Sequence, residues 1–134
     1  MENVRFRLWD VAEGRMYDRV YAGHKIDEES ALRHLAWDGD YWKGIHPDTS
    51  TIMPFIHRED KNGKPIFELD IVRYRTGDTE WDYEVGVIEW YPEESRFSYS
   101  TASIKHEFYL QQMESKDMEV IGNLFEGVGK EYAL

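Results

Sequence analysis

Five histidines and 27 acidic residues are the side chains in this 134-residue sequence with the capacity for acid–base or metal chemistry. The histidines, His24, His34, His46, His57 and His106, stand ten or more residues apart, so no two share the i, i+4 or short strand spacing of a metal site. Carboxylates are so abundant that a pair within catalytic range is expected by chance, and nothing in their spacing selects one. Cysteine is absent, which removes thiolate nucleophiles, disulfides and Cys-ligated zinc together. No nucleophile elbow, phosphate-cradling glycine loop or kinase signature occurs. The reading is a non-enzyme with no catalytic residues, metal ligands or cofactors. A hydrolase or metal-binding alternative would centre on His57, beside Arg58-Glu59-Asp60.

One charge pattern stands out from that background. Asp78, Glu80, Asp82 and Glu84 alternate with Trp81, Tyr83 and Val85, so on a strand the four acids form a row on one face at intervals of about 6.8 Å. Such a row could imitate a nucleic-acid backbone and occupy a DNA-binding protein. The ordinary reading is an amphipathic strand with its acids in water. The net charge of −11 disfavours direct nucleic-acid binding, and Lys and Arg never gather beyond Arg73 and Arg75. Residues 1–10 mix Glu2, Arg5, Arg7 and Asp10 with apolar residues, unlike a signal peptide, and no later run approaches a membrane span. A cytoplasmic protein is expected.

The elements that would position these residues fall into two portions, 1–50 and 51–134. In the first, 4–9 and 16–21 alternate around Glu13-Gly14 and predict a β-hairpin. Asp27 as N-cap, Glu28 and Glu29 in a first turn, and Ala31, Leu32, Leu35 and Ala36 at helical spacing predict a short helix to about Trp37, ended by Asp38-Gly39-Asp40. The stretch 41–50 has no period and reads as a connection. Beyond it, short β runs alternate with turns, the texture of a small barrel or sandwich. Asn62-Gly63 predicts a type I′ hairpin between 52–58 and 65–67, and Gly86 marks a bulge or close backbone approach within 81–91. Strands at 71–75, 96–104, 107–110 and 118–125, the last kinked at Gly122-Asn123, complete an α+β chain that is mainly β.

Three segments resemble the YopX family of bacteriophage and prophage proteins. The opening Phe6-Arg7-Leu8-Trp9-Asp10 with Gly14-Arg15-Met16 is one. The most specific runs from Ile52-Met53-Pro54-Phe55 through Glu59-Asp60-Lys61-Asn62-Gly63-Lys64 to Glu68-Leu69-Asp70-Ile71-Val72. The third is Glu119-Val120-Ile121-Gly122-Asn123-Leu124-Phe125-Glu126, preceded at a distance by Gly86-Val87-Ile88-Glu89-Trp90. The family typically has Gln, Thr-Gly and Gly where this chain has Pro54, Ile56-His57 and Leu69. Either the backbone here does not need positive φ at the two lost glycines, or it carries strain there. The resemblance implies a phage-associated cytoplasmic protein of unestablished role, with an SH3-like β-barrel in its C-terminal portion.

Backbone geometry alone accounts for Asp60, Asn62, Gly63, Asp70, Gly122 and Asn123, so these motif residues read as architecture. The expected function is a non-enzymatic module acting through an unidentified protein partner, with the acidic row and the aromatics Trp37, Tyr41 and Trp42 as candidate interaction residues. Twenty aromatic rings exceed what a core of this size readily encloses, which favours a homo-oligomer, most simply a symmetric dimer.

Overall fold

Val, Ile, Tyr, Phe and Trp recur here at short intervals between Gly, Asp and Asn, the composition of strands joined by tight turns. The computed structural model describes residues 5–25, 31–101 and 110–132, and the chain divides into two units, 1–55 and 56–134. Twelve strands occur among the described residues. The first unit holds β1 (Phe6–Asp10), β2 (Arg15–Tyr17), β3 (Val20–Lys25), β4 (Leu32–Trp37) and β5 (Trp42–Ile45). Strand β6 (Ser50–Glu59) runs across the boundary. The second unit continues with β7 (Pro65–Phe67), β8 (Asp70–Arg75), β9 (Tyr83–Tyr91), β10 (Arg96–Thr101), β11 (Met118–Asn123) and β12 (Gly127–Val128). No helix of the described residues is long and apolar enough to cross a membrane.

In the first unit, β1 pairs antiparallel with β2 on one side and with residues 50–54 of β6 on the other. A second sheet has the order β3-β4-β5. Leu8, Tyr17, Val20, Ala36 and Ile45 form the core, with Phe6 and Ile52 packed against it. The expected helix is replaced: residues 32–37 are the central strand of the second sheet, and Asp27 lies outside the described residues. A short apolar run satisfies helical and strand spacing alike, and two hydrogen-bonding neighbours decide in favour of the strand. His34 belongs to that solution. The β3–β4 register shifts between Tyr21 and His24, and the Gly23 N–H donates to His34 Nδ1 at 2.8 Å. Asp38-Gly39-Asp40 is the β4–β5 hairpin turn rather than a helix stop; Asp38 Oδ1 accepts the Asp40 and Tyr41 N–H groups at 3.0 and 3.2 Å. The supposed connection 41–50 contains β5 and a 3₁₀ turn, Pro47–Thr49.

The second unit is built on an open antiparallel sheet of order β10-β9-β8-β11-β12. This corrects the SH3-like barrel. Closure requires the two edge strands to pair, but among the described residues β10 ends one side, and β12, two residues long, pairs only with β11. The region 107–109 lies outside the described residues, and Leu110–Gln112 is a 3₁₀ turn, not a strand. The core gathers Ile56, Ile66, Val72, Ile88, Tyr99 and Met118 among others. Tyr99, fully buried on β10, shares its one hydroxyl proton between the carbonyls of Val72 and Glu84, each 3.0 Å away. Gly86 makes that reach available: a Cβ there would lie 2.8 Å from the Tyr99 ring and 2.7 Å from the Ser100 carbonyl. Burial pushes the Tyr99 hydroxyl pKa far up, which keeps it a donor. Arg58 secures the segment after β10 by donating to the carbonyls of Leu110 at 3.0 Å and Met113 at 2.6 Å.

The hairpin loop after β6 is where sequence and structure meet most closely. Only Gly63 of the Asn62-Gly63 pair has positive φ, at 77°, and the Gly63 N–H donates to the Asp60 carbonyl at 3.0 Å. The Asp60 N–H donates in turn to the Lys64 carbonyl at 2.9 Å. The turn is therefore type I followed by a left-handed glycine bulge rather than type I′. Asp60 is 5% exposed and its carboxylate is engaged by backbone. Oδ1 accepts the N–H groups of Asn62 and Lys64, and Oδ2 that of Val120 on β11, all at 2.9 Å. The Lys61 N–H adds a bond to the Met118 carbonyl at 2.8 Å. Beside the loop, His57 and Leu69 adopt φ of 64° and 69°. Both residues thus hold a left-handed backbone despite carrying a Cβ, so of the two alternatives it is strain that holds.

Replacing Asp60 by Ala should destabilise the second unit by on the order of 3 kcal/mol, because the Val120 N–H is left buried without an acceptor; urea melts with an unchanged midpoint would refute this. At His57, an exposed side chain, Gly should raise stability by up to about 1 kcal/mol and Val should lower it. The reverse order of melting temperatures would show that the strain is not carried by the backbone.

Candidate functional site

The motif residues are consumed by structure. Asp70, almost wholly buried, accepts the Phe67 N–H on Oδ2 at 2.9 Å and closes the tight β7–β8 turn. Asn123 Oδ1 accepts from Phe125 and Glu126, both at 2.9 Å, and its Nδ2 donates to Glu126 Oε1 at 3.0 Å. Gly122 lies against the Gly127 carbonyl with no room for a Cβ. With Asp60, Asn62 and Gly63 already placed in the hairpin loop, all six shape the backbone. His57 is exposed on β6, and no group of three or more His, Asp or Glu among the described residues is arranged to hold a metal ion.

The first unit brings two of its three candidate aromatics together. Trp37 and Trp42 are register partners across β4 and β5, with ring centroids 5.4 Å apart. Tyr41 stands in the turn, 57% exposed. The structure adds residues that the sequence did not single out. Tyr21 on β3 packs on Trp42 at 4.9 Å, and the Arg19 guanidinium lies over the rings of Trp37 and Trp42 at 5.6 and 5.4 Å. An arginine poised on two indoles is a cation–π arrangement whose N–H edge stays available to an anion.

In the second unit the acidic row dissolves. Strand β9 begins at Tyr83, so Asp78, Glu80 and Asp82 sit in the loop 76–82 and only Glu84 lies in a strand. Loop chemistry explains the failure of the alternation. Asp82 Oδ2 accepts the Thr79 N–H at 3.1 Å, and the Thr76 N–H donates to the Asp82 carbonyl at 2.8 Å. The Thr79 N–H bond is the main reason the Asp82 carboxyl is held below its ordinary pKa. Arg75 braces the other side, donating from Nε to Gly77 O at 2.7 Å and from Nη2 to Asp78 O at 2.9 Å. At the tip, Trp81 is 78% exposed.

That loop borders a cleft of about 480 Å³, which Lys61, Arg73 and Glu119 also line. Arg73 Nη2 donates to Glu119 Oε1 at 2.6 Å, the Tyr132 hydroxyl donates to Oε2 at 3.0 Å, and Lys61 Nζ is 3.8 Å from Oε2. The Arg73 guanidinium also rests 5.2 Å from the rings of both Tyr83 and Tyr132. Burial pushes the Glu119 carboxyl up, but the bonds from Arg73 and Tyr132, with Lys61 nearby, prevail and hold it below its usual range. Tyr132 is raised, by burial first and then by its bond to Glu119. Arg73 was visible in the sequence as a strand cation; Glu119 and Tyr132 were not, because nothing local announces their meeting.

A depressed carboxyl stabilises the fold above its unfolded pKa, about 4.3 for Glu, and loses that contribution as pH falls through the folded value. Glu119→Gln should therefore lie below the native chain in stability at neutral pH, with the gap closing below about pH 4.3. A gap of constant size across that range in denaturant titrations would overturn the assignment.

No curated protein matches the sequence. Solved structures that share the fold include protein EF1440 from Enterococcus faecalis, 20% identical, and protein yopX from Bacillus subtilis, 17% identical. Each aligns over 92% of this chain and 94% of its own with a TM-score of 0.58. The model of the YopX protein family matches residues 5–128, through both units and every motif residue described above. The chain therefore belongs to the YopX protein family.

Proposed function

We propose that this chain is a non-enzymatic protein-interaction module whose anchor is the braced loop carrying Trp81. The observation that supports this reading is the exposure of a large indole, 78% open to water, on a loop fixed by the bonds of Arg75, Thr79 and Asp82. Leaving such a ring in water forgoes roughly 2–3 kcal/mol of burial. Holding it on a fixed loop reduces the entropy lost when a partner covers it. Tryptophan is among the residues that dominate protein interfaces when fully covered. The acidic-mimic reading loses its support, because three of its four acids lie in the loop and Asp82 is bonded to Thr79. The family resemblance supports an origin on a phage or prophage and action in the bacterial cytoplasm.

Capture from bacterial lysate with the native chain and with Trp81→Ala tests this. Trp81 packs little against its own chain, so the variant should fold as the native protein does. Its yield of the specific partner should fall about tenfold or more. Partner retention should also survive high salt, since the anchor is apolar, whereas a charge mimic would release it steeply. Equal capture by both proteins would remove Trp81 from the interface and end this reading.

A further inference from the structure

The first unit carries a depression with the chemistry to receive the Trp81 loop. Its volume is about 480 Å³, within the range of sites that enclose an aromatic group. Phe6, Val20, Tyr21 and Trp42 give it apolar surface, and Tyr21 is 53% exposed although it packs on Trp42. Arg5, Asp18 and Arg19 also line it, so that two cations and one acid edge a pocket in a chain of net charge −11. Arg19 is oriented by the two indoles beneath it and makes no ion pair among the described residues. The Trp81 loop is the opposite in each respect. Its apolar ring is flanked by Glu80 and Asp82, and the exposed Glu80 makes no ion pair among the described residues either.

We propose that the loop of one copy inserts Trp81 into this depression on a second copy, with Glu80 meeting Arg19 there. The inference rests on Trp81 as the anchor and names what covers it. Ring would stack on ring, as aromatic pairs do at 4.5–7 Å centroid separations, and the carboxylate would meet the guanidinium already positioned by Trp37 and Trp42. Giving and receiving patches are different surfaces, so two copies can exchange loops in a symmetric dimer, and where the geometry does not close at two, repetition makes a larger ring or an open chain. The −11 charge opposes association of like copies, and physiological salt is needed to screen it.

Mass in solution, measured by light scattering at micromolar concentration in about 0.15 M salt, is the test. The native chain should exceed the 16.0 kDa of one copy. Trp81→Ala, which keeps the pocket, and Arg19→Glu, which keeps the loop, should each fall to 16.0 kDa with unchanged circular dichroism. Mixed together, these two should restore a single interface and stop at twice the single-chain mass. Glu80→Arg, at an exposed side chain, repeats the test without touching an aromatic contact. Its partner in the mixture is Arg19→Glu, whose pocket its reversed charge now fits. Native protein at 16.0 kDa, assembly that survives both first variants, or mixtures that stay monomeric would each overturn the proposal. A monomeric native chain that still loses a foreign partner through Trp81→Ala would overturn it while leaving the interaction-module reading intact.

Discussion

A carboxylate taken out of water must be met by donors, and in the second unit that requirement is concentrated at Asp60. Its three backbone bonds tie the hairpin loop to itself and to β11, so the turn after β6 and the strand that ends at Asn123 share one anion. Bonds to a carboxylate are stronger than those between neutral groups, and a buried donor or acceptor left without its partner costs about 1–3 kcal/mol. The same device recurs at smaller scale. Asp10 Oδ1 accepts the Ala12 N–H as β1 ends, Asp70 closes the turn into β8, and Asn123 turns the chain out of β11. Short strands need sharp reversals, and buried Asx side chains supply the acceptors that those reversals leave wanting.

With the loop so fixed, the neighbouring backbone tolerates conformations that its own residues disfavour. Leu69 keeps its left-handed φ between two bonds, its N–H to the Ile88 carbonyl at 2.7 Å and its carbonyl to the Leu124 N–H at 3.1 Å. Left-handed leucine costs about 1–2 kcal/mol, less than those two bonds and the Asp70 turn hold in place. Tyr99 shows the complementary case, in which Gly86 is kept because a hydroxyl must cross its strand to reach two carbonyls.

Legibility followed the range of the deciding interaction. The pairing of β1 with β2 across Glu13-Gly14 and the turn at Asn62-Gly63 depend on neighbours in sequence, and the residues announce them. The turn's type was misread because Asp60 supplies acceptors that a dipeptide signal does not include. Residues 32–37 were misread because β3 and β5, not local spacing, set their conformation. The acidic row required a strand from 78 to 84, and Asp82 instead spends its carboxylate on the Thr79 N–H. Of the site, the aromatic pair Trp37 and Trp42 was legible; Arg19, Tyr21 and Glu119 acquire meaning only when strands distant in sequence are laid side by side.

The bonds from Asp60 to Val120 and from Lys61 to Met118 also set an order of events during synthesis. The pairings of β1 with β2 and β6 and of β3, β4 and β5 lie within residues 6–54, so they and the first core can form while the rest of the chain is still being made. The second unit has no such freedom. Its central strand β8 lacks one neighbour, and the Asp60 carboxylate lacks its third donor, until β11 has left the ribosome. Loop-closure entropy must be met before those long-range bonds form. A chain connected in this way favours vectorial maturation, with the pairings among β1 to β6 available before those that need β11.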